Sequence, residues 1–257
     1  MRNLFLLLVM LCGMCVQQAN AQALRCDVNG DGCVDMSDVN EVINTILGKK
    51  IVDTHEFVDL GLPGGVLWAT CNIGAENPED YGKYFAWGDT IGYTRDEDHN
   101  FYWTTYKWCD GRYDNMNKYC TDSGYGTVDN KVILDPEDDA ATACWGSNWR
   151  MPTLQEISYL YDDNYTSTEW ATVNGVDGCM ITSKSNGNSM FLPATGYRSD
   201  TDLSFTGTYG FIWTRELNVN DNSGANVLYI YAGGIINRNG DNRYYGIPVR
   251  AVRVLSE

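Results

Sequence analysis

The sequence predicts an α+β fold, made mostly of short antiparallel strands with one or two short helices and preceded by an N-terminal calcium loop and helix. Three observations predict it. Short apolar and aromatic runs recur between Gly, Asn and Thr from Phe57 almost to the C-terminus. Thr153 with Glu156 three residues later forms a capping box ahead of Leu154, Ile157, Leu160 and Tyr161, which share one helical face with Pro152 placed to staple Ile157. Oxygen-bearing side chains between Asp27 and Asp38 stand at the spacing of a cation loop.

The chain opens with Arg2, an apolar run from Leu4 to about Val16, and Ala19-Asn20-Ala21, small residues at the spacing of a cleavage site. Residues 1–21 are therefore predicted to be a signal peptide, since the run is too short for a transmembrane helix. The expected product is secreted or displayed at the cell surface, with no transmembrane segment after cleavage. Losing Arg2 takes the formal net charge from −16 to −17. That balance repels phosphate backbones and argues against nucleic acid or anionic membrane as partner, while calcium and neutral glycans stay compatible.

Of nine cysteines, seven remain once Cys12 and Cys15 leave with the leader. In an oxidising compartment Cys26 with Cys33, and Cys109 with Cys120, are candidate disulfides. Cys71, Cys144 and Cys179 read equally well as buried small hydrophobes.

Asp27, Asn29, Asp31, Asp35 and Asp38 occupy positions 1, 3, 5, 9 and 12 of the loop. Gly32 permits the sharp turn and Cys33 offers its carbonyl. A hard cation needs six or more oxygens at about 2.3–2.6 Å, and carboxylates brought this close repel one another without it. Ca2+ is the predicted cofactor, with Asp38 standing where a bidentate Glu is usual. Val39, Val42, Ile43, Ile46 and Leu47 follow at helical spacing and Gly48 ends the helix. Residues 22–50 thus resemble one repeat of a dockerin, the calcium-dependent module that plugs polysaccharide-degrading enzymes into scaffold proteins. The resemblance implies a cohesin-like scaffold as partner, with Met36 and Ser37 at the contact. Dockerins carry two such repeats, and one is visible here.

Lys49-Lys50 and the polar run to Glu56 read as a linker. Beyond it Phe57–Leu60, Val66–Ala69 and Tyr84–Trp87 are predicted strands, and Asn77-Pro-Glu-Asp80 has the cap, proline and acidic first turn of a brief helix. Phe57-Val-Asp-Leu-Gly-Leu62, Leu67-Trp-Ala-Thr-Cys-Asn-Ile-Gly-Ala75, Pro78-Glu-Asp-Tyr-Gly82, Tyr84-Phe-Ala-Trp-Gly88, Asn148-Trp-Arg-Met-Pro-Thr153 and Tyr244-Tyr-Gly-Ile-Pro-Val-Arg250 stand in this order. Together they resemble the major paralogous domain of Fibrobacter succinogenes, abundant in Bacteroides-type surface proteins of Gram-negative bacteria. For residues 51–257 the resemblance implies a C-type-lectin-like fold, related to the formylglycine-generating enzymes, in which N- and C-terminal strands pair and long loops carry the variable surface. Two departures limit what it carries over. The chain has no Glu-Pro-Asn, Gln-Pro-Asp or Trp-Asn-Asp for calcium-mediated sugar binding, and no cysteine after Cys179 for formylglycine chemistry.

Trp103 to Ala143 is aromatic and aperiodic; it reads as a sugar-stacking loop or as the core of a loop-rich fold. Asp135-Pro-Glu-Asp-Asp139 reads as a second cation site or as a solvated helix start. After the helix, Trp170–Val173, Cys179–Ser183, Met190–Pro193, Phe211–Thr214, Val227–Tyr231 and Gly246–Val254 are predicted strands. Asn174-Gly175, Asn186-Gly187 and Asn239-Gly240 mark hairpins between them. Trp213, Arg215, Tyr229, Tyr231, Asn237, Arg238, Asn242, Arg243 and Tyr244 concentrate rings, amides and guanidinium forks, the chemistry of adaptable recognition. The resemblance adds that some relatives of this fold are hypervariable proteins, with which an Asn-rich tail is compatible.

No catalytic motif selects a pair among the 34 Asp and Glu residues. His55 and His99 stand far apart with no Ser or Cys signature beside them, and there is no His-Glu-x-x-His. The expectation is therefore a non-catalytic binding protein that recognises a glycan or a host or bacterial surface ligand. The alternative is an accessory or catalytic component of polysaccharide degradation, docked through Asp27–Gly48.

Overall fold

The computed structural model describes residues 54–254, apart from the side chains of residues 236–239, together with Val42 and Ile46 upstream. The chain divides into two units, Met1–Thr54 and His55–Glu257. In the first, Val42 and Ile46 are helical and one turn apart, as the predicted helix requires. The signal peptide, the Cys26–Cys33 pair and the calcium ligands Asp27, Asn29, Asp31, Cys33, Asp35 and Asp38 lie outside the described residues.

The second unit begins with β1 (Phe57–Val58), β2 (Leu67–Ala69) and β3 (Tyr84–Phe85). A long stretch follows whose described residues pair only through isolated bridges, such as Phe101 with Asp200 and Cys109 with Met116. A 3-10 turn at Pro136–Asp138 then leads into α1 (Ala140–Trp145), β4 (Trp149–Arg150) and α2 (Leu154–Tyr159). The remainder is strands: β5 (Thr166–Val173), β6 (Val176–Ser183), β7 (Ser189–Pro193), β8 (Tyr197–Ser199), β9 (Asp202–Ser204), β10 (Tyr209–Leu217), β11 (Gly224–Tyr231), β12 (Gly234–Asn242), β13 (Ile247–Pro248) and β14 (Val252–Arg253).

These strands form small sheets, ordered β1-β2-β14-β4, β10-β11-β12, β5-β6-β7, β13-β3 and β8-β9, and their named pairings are antiparallel. β14 lies between β2 and β4, with Val252 opposite both Trp68 and Arg150, so the last strand pairs with the second and shares a sheet with the first without pairing with it. The sheet β10-β11-β12 is buried on both faces over its centre. Phe211, Trp213 and Val227 enter one apolar cluster, while Ile212, Leu228 and Ile230 enter another with Trp68 and Ile157. A third cluster, around Tyr84, Phe101, Tyr106 and Met116, sits under the long loops. Among the described residues no helix is long and apolar enough to cross a membrane.

α2 starts where the capping box places it. Glu156 N–H donates to Thr153 Oγ1 at 3.1 Å and Thr153 N–H donates to Glu156 Oε2 at 2.8 Å. Arg150 clamps the same carboxylate through two nitrogens, at 2.8 and 2.5 Å, and Leu154 N–H donates to Glu216. Asn174 (φ 48°) and Gly175 (φ 85°) form the two-residue loop joining β5 to β6, the positive pair that a type I′ turn needs.

Three expectations are corrected. Asn77–Asp80 is a turn and not a helix: Asn77 turns its own N–H and amide back onto Asp80 Oδ2, at 2.9 and 3.0 Å, which satisfies the cap without any helix behind it. Asn239-Gly240 is not a hairpin loop. It lies inside β12, where Asn239 and Gly240 together face Asn226, a bulge with Gly240 at φ 100°, and the hairpin itself turns at Ala232-Gly233. Cys109 and Cys120 are free thiols directed at different carbonyls, of Trp103 and Asp122, each at 3.1 Å. Cys144 and Cys179 are buried as read, and Cys71 is half-buried.

Candidate functional site

Alternation along β10 puts Tyr209, Phe211 and Trp213 on one face, opposite Tyr231, Tyr229 and Val227 of β11. That face runs from core to surface. Trp213 is fully buried and its indole N–H donates to the Phe85 carbonyl at 2.9 Å, and Phe211 is also buried. Tyr209, Tyr229 and Tyr231 are half-buried, with ring centroids 5.0 Å apart for Tyr209–Tyr229 and 6.1 Å apart for Tyr229–Tyr231.

The strip of rings continues off the sheet. Phe205 stands 5.4 Å from Tyr209 and 5.8 Å from Tyr197, and Tyr197 stacks on Tyr245 at 4.7 Å. Phe205 is 52% exposed and left-handed, with φ 64°. A bulky residue in that region carries a cost of about 1 kcal/mol or more. Its turn is nonetheless fixed, because Thr208 N–H and Tyr209 N–H both donate to the Phe205 carbonyl, at 3.1 and 3.0 Å. The backbone therefore holds an aromatic ring out in water.

At the other end Tyr231 borders a cleft of about 160 Å³, lined by Thr168, Glu169, Trp170, Cys179 and the Ala232–Gly234 turn. The Tyr231 ring lies on that turn: a Cβ on Gly233 would stand 2.4 Å from Tyr231 Cε2, so only glycine leaves room for this ring position. Burial pushes the Cys179 thiol up to about 11, so it stays protonated at neutral pH and is no nucleophile. The chemistry on offer is apolar plates with phenolic edges, suited to the C–H face of a sugar ring.

The predicted ligand residues separate into three groups. Tyr229 and Tyr231 belong to the strip. Trp213, Arg243 and Tyr244 are buried and are corrected from recognition to packing, while Arg215 is half-buried. Arg243 is fully buried and donates to Tyr106 Oη (2.8 Å) and to the carbonyls of Lys118 (3.0 Å), Tyr119 (3.1 Å) and Asn222 (3.2 Å), with its guanidinium over Trp87. Tyr244 packs against Trp103 and Tyr245, and Arg215 donates to the Leu134 carbonyl at 3.1 Å. Asn242 is half-buried opposite Gly224, while Asn237 and Arg238 are placed by register only, opposite Leu228 and Val227.

The long loop divides the same way, with Tyr106 and Tyr119 buried in the core and Tyr113 exposed. Asp135–Asp139 is a helix start, solvated at Pro136 and Glu137 and buried at Asp138 and Asp139. Asp139 caps α1 by accepting from Ala141 and Thr142 N–H. Burial favours a neutral Asp138, yet Lys118 (2.5 Å), Tyr119 Oη (2.6 Å) and Lys107 (3.2 Å) hold its carboxyl below the usual range. Two ammonium groups thus stand where a second cation was one reading. Among the described residues no group of three or more His, Cys, Asp or Glu is placed to hold a metal ion. His55 stacks on Trp145 and His99 on Tyr93, at 4.1 and 3.6 Å.

Comparison with protein-family models, with curated proteins and with solved structures finds no match to this chain. Tyr197, Phe205, Tyr209, Glu169 and Trp170 were not among the residues the sequence pointed to. Tyr209 was accessible through its alternation with Phe211 and Trp213. Nothing local marks Phe205, which owes its role to a turn conformation.

Proposed function

We propose that this chain is an exported, non-catalytic binding protein that recognises a glycan or a glycan-bearing surface through the strip Tyr197, Phe205, Tyr209, Tyr229 and Tyr231. One observation carries the reading: Phe205 is kept half-exposed, in a conformation costly for an aromatic residue, at the middle of a run of rings within stacking distance of one another. Protein cores hide such rings; a run left open to water suits an apolar ligand face. The upstream loop supplies Ca2+ binding through Asp27, Asn29, Asp31, Cys33, Asp35 and Asp38, and serves to tether the recognition unit to a cohesin-like scaffold.

The test is a glycan array probed with the mature chain, its Phe205→Ala variant and its Tyr231→Ala variant. The reading expects a hit weakened at least tenfold by each substitution with the melting temperature kept. A hit indifferent to both substitutions, or turnover of a polysaccharide abolished by a single carboxylate change, would overturn it. For the loop, titration calorimetry with Ca2+ should give a binding heat that Asp27→Ala with Asp31→Ala abolishes, and a flat titration of the parent chain sinks that part.

A further inference from the structure

Two sheet edges differ in how they are closed. Along β10 the outer edge is covered: the Arg215 and Tyr209 carbonyls accept from Leu134 and Gly196 N–H, and Arg215 and Leu217 N–H donate to the Pro152 and Val132 carbonyls. Along β5 the outer edge is open. On β6, Ser183 N–H donates to the Asn188 carbonyl and the Asp177 carbonyl accepts from Ala194 N–H, both toward β7, so Gly178, Met180 and Thr182 bond β5. Their partners there are Ala171, Glu169 and Ser167. Thr168, Trp170 and Thr172 therefore turn N–H and C=O outward, and among the described residues no backbone group bonds them.

The open row has built limits. Thr166 N–H donates to the Asp162 carbonyl at one end, and the Asn174-Gly175 turn closes the other. Between them Ser167, Thr168, Glu169 and Thr172 are exposed. Proteins blunt such an edge with a bulge, a proline or a lysine, or by keeping it short. β5 runs eight residues in unbroken register with none of these. Its outward groups span about 14 Å, enough for a short strand to add.

The two faces beside this edge differ. Glu169 lies on the Met180 and Phe191 face, with Ala171 and Val173. Trp170 lies on the Cys179 face, where the cleft of about 160 Å³ opens toward Tyr231 and the Ala232–Gly234 turn. The sheet β5-β6-β7 carries two charged side chains, Glu169 and Asp177, both acidic, in a chain of net charge −16. A strand added here gains from a basic side chain opposite Glu169 and an apolar one opposite Trp170. A second copy of the chain fits worse, since its own β5 would bring another Glu169 to the same face. We infer that the open edge of β5 is a strand-addition site for an extended segment of another protein, one that alternates basic and apolar side chains. The inference goes beyond the glycan reading and does not depend on it.

The experiment titrates the mature chain with three capped seven-residue peptides: valine alternating with lysine, valine alternating with glutamate, and the lysine peptide N-methylated at its valines. The lysine peptide should bind about tenfold more tightly than the glutamate one, and its affinity should fall as salt rises. The N-methylated peptide should not bind, because residues opposite Trp170 make the main-chain bonds. By amide exchange, Thr168, Trp170 and Thr172 should be fast in the free chain and slowed by the lysine peptide, with Glu169 and Ala171 slow throughout. Thr168→Pro removes one outward donor and leaves the β5–β6 bonds, so it should weaken the lysine peptide about tenfold with the melting temperature kept. Glu169→Lys should reverse the preference between the two charged peptides. Slow exchange of the three amides in the free chain overturns the inference, as does equal binding of the N-methylated peptide or no binding of the lysine peptide at millimolar concentration. A preference indifferent to Glu169→Lys overturns the basic partner. Self-association by sedimentation that Thr168→Pro abolishes gives the edge to a second copy and overturns the inference too. Phe205→Ala should leave peptide binding unchanged, so loss of glycan binding and loss of strand addition are read separately.

Discussion

The two halves of the described unit satisfy their backbones in opposite ways. From β5 onward, hairpin ladders do most of the work: β5 pairs with β6 over eight residues and β10 with β11 from Tyr209 to Leu217 across one irregularity, so neighbouring strands supply many of the backbone partners. From β3 to α1 the described chain has no ladder of that length, and side chains from far along the sequence stand in. Arg243 collects the carbonyls of Lys118, Tyr119 and Asn222, and Arg198 collects those of Thr94, Glu97 and His99. In the reverse sense Asp129 accepts from Tyr119 and Cys120 N–H, and Asn222 accepts from Thr121 and Asp122 N–H. Buried polar backbone must be paired somewhere. Where geometry forbids a sheet, guanidinium and amide groups replace it, at the expense of burying charge.

The comparison breaks most visibly at Arg243. Arg243→Met should remove a partner of three carbonyls, two of them buried, and cost about 3–5 kcal/mol, with amide exchange rising first in residues 100–135 while β5–β7 stay protected. Uniform loss of protection across both halves would show that the loops and hairpins are one cooperative block. A smaller effect is expected at Glu156. Burial alone would raise its pKa, but the Arg150 clamp and the Thr153 N–H hold it below the usual glutamate value. A depressed carboxyl stabilises the fold above its unfolded pKa, and that contribution is lost as pH falls through the folded one. Denaturant titrations from pH 6 down to pH 2 should therefore show Glu156→Gln weaker than the parent by about 2 kcal/mol at pH 6, the gap closing in acid. A constant gap would mean that the pair contributes through shape alone. The smallest change in stability belongs to Phe205→Ala, within about 1 kcal/mol, because the ring is half in water already. A melting temperature that drops by many degrees would make Phe205 a core residue and remove it from the ligand surface.

The same contrast decides what could be read in the sequence. Asn174-Gly175 gave its hairpin because a type I′ turn is a local event, and Thr153 with Glu156 gave α2 for the same reason. Asn239-Gly240 carries identical local chemistry but serves as a bulge, since Ala232-Gly233 had already turned the strand. Arg243 and Trp213 looked like recognition residues because rings and guanidinium forks suit both tasks. Their real partners, Tyr119 and Phe85, lie 124 and 128 positions away. No window of sequence holds both members of such a pair.

β14 sits between β2 and β4, so the opening β1-β2 pair is joined to β4 only when the closing residues arrive. A chain threaded head-first through any narrow passage would keep its leading half slack for the whole transit, then lock when its tail emerged. Trimming a few residues beyond Ala251 should thus do more harm than deleting as many from an exposed loop tip, since the seam fastening the whole unit lies there.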